Sequence, residues 1–330
     1  MTRAALLLIA CALAGAFAAN DLRANDSVAA AEAGGLVLRQ SRDIDMVSED
    51  LYVSRLEIRV RYVFRNRSAR PVRTIVAFPM PDRDLAVEEG GEVAWPSSFR
   101  TRVGGREIAM RVERRVLARG VDHTALLARL RVPILSRPDE SRTYQALDRL
   151  PRAAQDQLVR LGLIALDEER GTGRFTATAL WTAKETWYWE QTFPPGRDLV
   201  VEHRYRPGLG GSAGTGLASR EMRESNYGRE MIARYCVDND FIAAVERIAS
   251  RNDQGIPPLS EDWLSYVLTT GANWRAPIGD FRLVVDKGDP RFLVSFCGEG
   301  IRRLSPTQFE IRHRNWRPTR DLNVLFLHPQ

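Results

Sequence analysis

Side chains able to ligate metals, attack carbonyls or move protons are sparse and scattered along this 330-residue sequence. Its four histidines, His123, His203, His313 and His328, show no H-E-x-x-H or other close ligand spacing, so no metal site is expected. His203 sits in an alternating stretch among bulky residues and reads as a hydrogen-bonded strand histidine. Asp238-Asn239-Asp240 resembles part of a calcium loop, but the glycine and distal glutamate of that motif are missing. Capping of a helix N-terminus accounts for the cluster better. Glu261, Asp262 and Asp240 do not define a hydrolytic pair, because the carboxylate separation that would do so is three-dimensional. Neither G-x-S-x-G nor S-x-x-K occurs. No catalytic residue and no cofactor is assigned, and the reading leans away from an enzyme.

Two groupings remain. Cys236 and Cys297 are the cysteines left once Cys11 is set aside with the N-terminal segment. An even pair in an oxidising compartment is expected to form a disulfide, with two buried free thiols as the alternative. The second grouping is Glu185 to Gly196, "ETWYWEQTFPPG". In a strand, Trp187, Trp189, Gln191 and Phe193 share one face, while Thr186, Tyr188, Glu190 and Thr192 share the other. Core packing is the favoured explanation. The alternative is an aromatic platform, with Trp187, Trp189 and Glu190 as binding residues and Glu185 nearby, in a hydrolase or carbohydrate-active protein.

The elements that must position these residues follow from patterning. "MTRAALLLIACALAGAFA" carries Arg3, an apolar run and an A-x-A ending, the layout of a secretory signal peptide. It is expected to end at residue 18, with 24 as the alternative end. Leu8-Ile9-Ala10-Cys11 resembles a lipoprotein box but would leave too short an apolar region. No later stretch approaches the roughly 20 apolar residues of a membrane span, so no transmembrane segment is expected in the mature chain, which should be periplasmic or secreted. Hydrophobic residues at 44% and charged ones at 27% fit an ordinary folded chain. Of the 48 basic residues only Lys184 and Lys287 are lysine, and the arginines are spread among 42 acids without a basic run. Nucleic acid is therefore not an expected partner.

"LEIRVRYVFR" alternates Leu56, Ile58, Val60, Tyr62 and Phe64 against Glu57, Arg59, Arg61 and Arg65, the pattern of a half-buried antiparallel strand. Val72 to Phe78, Phe99 to Val103 and Ile108 to Val112 repeat it, the last two around a Gly104-Gly105 turn. The spacing predicts a β-rich region over 36–113, a helical insertion over 114–170, β-strands again over 175–206, a helical connector over 217–251 and C-terminal strands over 260–330. "GLGGSAGTG" lacks a phosphate-loop spacing and reads as a flexible connector. The expected fold is a mainly β, antiparallel β-sandwich with a helical insertion and additional short helices, α+β overall, as a single domain over 19–330.

Several strings carry a resemblance: "NDSVAAAEAGGLVL", "SEDLYVS", "VRYVFRNRSARPVRTIVAFPMPD", "WYWEQTFPPGRDLVVEHRYRPGLGG", "YCVDNDF" and "LTTGANWRAPIGDFRLVVDKGDPRFLVSFCGEG". Together they are similar to the bacterial domain-of-unknown-function family 4424 over nearly the whole mature chain, which implies an exported envelope protein without an assigned activity. "VFRNRSARPVRTIVAFPMP" and "FPPGRDLVVEHRY" also resemble the strand pattern of the vault/inter-alpha-trypsin β-sandwich domain. The expectation is an exported binding or protein-interaction module of the cell envelope, its partner an envelope protein or a ligand.

Overall fold

The computed structural model describes residues 25–32, 35–85, 97–134, 141–168, 173, 175–252 and 257–330. The signal segment expected at 1–18, or 1–24, lies outside the described residues. The chain folds as a β-sandwich with helical additions. Its larger layer is an eight-stranded sheet, in spatial order Arg302–Arg303, Gln308–Trp316, Ile278–Asp286, Ile44–Ser54, Ile58–Asn66, Asp198–Arg206, Ser97–Val103 and Arg106–Ile108. Neighbours run antiparallel except Ile278–Asp286 beside Ile44–Ser54, which are parallel. Most of the chain separates those two strands, so no hairpin fixes their relative direction.

A seven-stranded sheet orders Val121–Asp122, Arg111–Ala118, Thr182–Phe193, Val72–Pro79, Ser27–Glu32 and Gly35–Arg39, with Arg83–Asp84 also on Thr182–Phe193. A four-stranded sheet orders Gly210–Ser212, Leu259–Tyr266, Leu322–Pro329 and Leu293–Phe296. Both meet the same face of the eight-stranded sheet, in one core that joins Tyr62, Phe64, Val201 and Leu283 to Phe78, Trp189 and Phe193 and to Tyr266, Val324 and Phe326. Alternation decides which residues enter it, since successive strand side chains point to opposite faces. "LNVLFL" has little alternation because both of its faces are covered. Val324 and Phe326 enter the main core, while Leu325 and Leu327 pack with Met231, Tyr235, Phe241 and Val245 of the helices.

The helical stretch expected over 114–170 is narrower in the structure. Helices Thr124–Arg129, Ser141–Asp148 and Arg152–Arg160 form it, while Arg111–Ala118 and Ile164–Glu168 are strands. Val116 is fully buried in a second core with Leu127, Leu158 and Trp181, and its strand pairs with Thr182–Phe193. Pairing with that long strand overrides the local change of period. β-structure also begins earlier than residue 36, at Ser27–Glu32, where small residues hide the alternation. The glycine-rich stretch is not simply a connector: Gly210–Ser212 pairs with Leu259–Tyr266, and a Cβ on Gly211 would lie 2.5 Å from the Glu261 carbonyl oxygen. Only glycine permits that approach.

The helices after this stretch, Arg220–Glu224, Asn226–Tyr235 and Asn239–Ala249, start at side-chain caps. Asp238 Oδ1 accepts the Phe241 amide at 2.7 Å, so the acidic cluster serves as a helix cap. Cys236 follows Tyr235 in a left-handed conformation and is bonded to Cys297, with Cα atoms 5.0 Å apart. The bond ties the junction of helices Asn226–Tyr235 and Asn239–Ala249 to the end of strand Leu293–Phe296 across 61 residues, a loop worth roughly 4 kcal/mol in the chain-entropy account. Alkylation without reductant is expected to label neither cysteine, and Cys297→Ser to lower the melting temperature by roughly 5 to 10 °C. Two labelled thiols in native protein would contradict this.

Candidate functional site

Strand Thr182–Phe193 places the aromatic stretch as alternation requires. Trp189 is 5% exposed in the core, and its Nε1 donates to Gln191 Oε1 at 3.1 Å. Trp187 is half-buried, with Phe99 stacked at 5.0 Å and its Nε1 donating to Glu185 Oε1 at 2.9 Å. Glu185 is itself buried and accepts from Arg114 Nε at 2.9 Å. Glu190 points to the opposite, exposed face, where the Arg73 guanidinium holds its carboxyl below the ordinary range. The structure therefore brings Trp187 and Glu185 together but sets Glu190 on the far side of the sheet.

The histidines are dispersed. His313 stacks with Trp316, His328 Nε2 lies 3.2 Å from Asp262 Oδ2, and His123 precedes the helix Thr124–Arg129. Among the described residues no group of three or more His, Cys, Asp or Glu side chains is placed to hold a metal ion.

His203 belongs to a fully buried polar network that its strand position alone did not reveal. Its Nε2 lies 3.0 Å from Asp26 Oδ1 and its Nδ1 lies 2.8 Å from Thr101 Oγ1. An ionised Asp26 accepts from Nε2, and the Thr101 hydroxyl can serve Nδ1 as donor or acceptor. The backbone around Asp26 is held as firmly: Trp274 Nε1 donates to the Asp26 carbonyl at 2.7 Å, and the Thr270 hydroxyl donates to the Asn25 carbonyl at 2.7 Å. Asn25 Nδ2 donates to Glu49 Oε2 at 2.9 Å. Asn25 Oδ1, Asp26 Oδ2 and Glu49 Oε1 are buried without a hydrogen-bond partner among the described residues.

The opposite face of the eight-stranded sheet is a different environment. The strands that send Val60, Tyr62, Val201 and His203 inward send their alternate residues to solvent. Cross-strand pairing lines these up as Arg312, Arg282, Asp50, Arg61, Glu202, Arg102 and Glu107. The adjacent row runs Tyr52, Arg59, Arg204 and Arg100. Here the Arg59 guanidinium lies 4.3 Å over the Tyr52 ring and pairs with Glu57 at 3.0 Å, and Glu57 also contacts Arg204. Arg282 Nη1 lies 3.1 Å from Asp50 Oδ1. Hydrogen bonds from Arg282, then from Arg302 and Arg312, hold Glu310 down at about 2 against the opposing effect of burial. Arg61, Arg100 and Arg102 have no ion-pair or hydrogen-bond partner among the described residues. Arg59, Arg61, Arg100, Arg102, Arg204 and Arg282, with Asp50, Tyr52 and Glu202 among them, line a depression of about 510 Å3. Along the sequence the arginines are evenly spread. The signal was there in "RVRYVFR", "RTR" and "EHRYR", where the outward half of each alternation is charged.

The family described as a domain of unknown function, DUF4424, matches residues 24–325. The chain belongs to the DUF4424 family. No curated protein matches it. Among solved structures, a Legionella pneumophila protein named for nutrient binding aligns at 14% identity and a TM-score of 0.42, over 87% of this chain and 68% of its own. An M1 zinc metallopeptidase from Deinococcus radiodurans aligns at 9% identity and a TM-score of 0.23, over 87% of this chain and 43% of its own. Likeness at that level carries no functional argument.

In this DUF4424 chain the buried network sets a pH dependence. Burial pushes the Glu49 carboxyl up to about 8, against the hydrogen bond from Asn25 and with the Asp26 charge acting in the same direction as burial. Burial raises Asp26 as well, opposed by His203. An acid with a raised folded pKa binds more protons folded than unfolded. Stability therefore falls as pH rises from the unfolded value near 4.5 to about 8. One such group changes stability by at most about 1.4 kcal/mol per pH unit. Melting temperature is expected to drop between about pH 5 and about pH 8.5, and Glu49→Gln to flatten that drop. A variant with the parent profile would assign the slope to other groups.

Proposed function

We propose that this DUF4424 chain is an exported binding module of the cell envelope, and that the outer face of its eight-stranded sheet is the binding surface. The observation that carries this reading is the concave field of arginines there. Among the described residues Arg61, Arg100 and Arg102 form no ion pair, although Asp50 and Glu202 stand beside Arg61 and Arg102 in their row, while many other surface arginines, among them Arg65, Arg73 and Arg220, have carboxylate partners. Like charges directly opposite one another, as at Arg59, Arg204 and Arg100, are a cost to the free sheet that a complementary ligand would relieve. The Cys236–Cys297 disulfide supports an oxidising compartment, and no helix among the described residues is long and apolar enough to cross a membrane.

The test combines export with contact. The tagged chain, expressed in its own host, is expected in the osmotic-shock fraction with a shortened N-terminus. A photoreactive residue replacing Arg102 is expected to give a discrete cross-linked product, whereas one replacing Glu224 on the helix Arg220–Glu224 gives none. Full-length protein retained in the cytoplasm, or equal cross-linking from both positions, would overturn the reading.

A further inference from the structure

We propose that the depression on the outer face of the eight-stranded sheet binds a compact, soluble anion carrying two or more phosphate groups. This rests on the reading of that face as the binding surface. Arg59, Arg204 and Arg100 are direct cross-strand neighbours on three adjacent strands. Strands lie about 4.8 Å apart, so these three positions span about 10 Å. Like charges directly opposite one another destabilise a sheet. One carboxylate, that of Glu57, serves both Arg59 and Arg204, and Arg100 has none among the described residues. The neighbouring row adds Arg61 and Arg102, which form no ion pair among the described residues although Asp50 and Glu202 are their cross-strand neighbours.

The chemistry that completes such a set is multivalent and oxygen-rich. Guanidinium forks match the geometry of phosphate and carboxylate, and several guanidiniums within about 10 Å can be engaged together by an anion that offers more than one such group. The shape argues for a soluble source. A volume of about 510 Å3 lies within the range of small-molecule sites, roughly 300 to 1,000 Å3. A bilayer surface would meet the rim of a depression rather than its floor.

Titration calorimetry of the whole mature protein with inorganic tripolyphosphate tests this, with orthophosphate, citrate and anionic phospholipid vesicles as comparators. Saturable binding of tripolyphosphate is expected, at least tenfold tighter than orthophosphate or citrate. The double variant Arg100→Ser with Arg102→Ser should weaken it at least tenfold. Arg220→Ser, which removes a guanidinium already paired with Glu224, should leave it unchanged. Thermal melting of each variant separates lost binding from lost fold, and Arg100→Glu, should the double variant melt early, provides the same test. Absence of saturable binding, an undiminished affinity in the variants, citrate binding as tightly, or binding to vesicles alone would overturn the proposal. If tripolyphosphate fails while cross-linking from position 102 persists, the binding face stands and the phosphate assignment falls. Failure of both removes both.

Discussion

The pairing of Asp26 with His203, 3.0 Å apart with both side chains wholly buried, is the contact on which the arrangement of the sheets depends. Removing an ionisable group from water costs several kcal/mol, and leaving one partner alone inside the core costs more than keeping both. Asp26 precedes strand Ser27–Glu32 of one sheet, and His203 lies within Asp198–Arg206 of another. Thr101 extends the line to a third strand, and Trp274 and Thr270 grip the backbone beside Asp26 from the C-terminal half. These contacts form together only when the two layers are docked as they are here. Aromatic rings then close around His203, with Phe78 at 4.9 Å, Phe99 at 5.3 Å and Trp189 at 5.7 Å. The aromatic stretch is thus part of the wall that keeps water away from a buried hydrogen-bond line.

The same pleat that builds this interior produces the charged exterior. Ile58, Val60, Tyr62 and Phe64 cannot all turn inward without sending Arg59 and Arg61 outward. When five neighbouring strands follow the pattern, charges dispersed in sequence become contiguous rows. Opposite charges are interleaved along one row, through Asp50 and Glu202, but not along the other. Nothing in folding requires Arg59, Arg204 and Arg100 to stand side by side, since polar residues of mixed sign would solvate the face as well. Arg59 and Arg204 share Glu57, and Arg59 also covers Tyr52, but Arg100 beside them has no such partner among the described residues, and a like-charge neighbour kept there points to use.

Much of the architecture was legible in the sequence because strand alternation, turn glycines and helix caps are local signals. "LEIRVRYVFR" specifies a half-buried strand by itself, Gly104-Gly105 makes its turn through two positive φ angles, and Asp238 caps the helix it precedes. The cysteine pair was legible because only two candidates remained. Where long-range pairing decided the outcome, the local signal misled. Arg111–Ala118 became a strand by pairing with Thr182–Phe193, and Gly210–Ser212 became an edge strand through the close approach of Glu261.

The sequence by itself determined which face of each strand is greasy and which is charged, because side chains alternate with a period of two whatever the neighbours are. It could not determine which strands are neighbours. That choice set Arg100 beside Arg204 and Arg59, residues far apart along the chain, and carried Asp26 to His203 across 177 positions. Both the candidate binding face and the buried network exist only through those pairings. They depend on through-space electrostatics and desolvation, which have no expression in linear order, so the tertiary structure alone decided them.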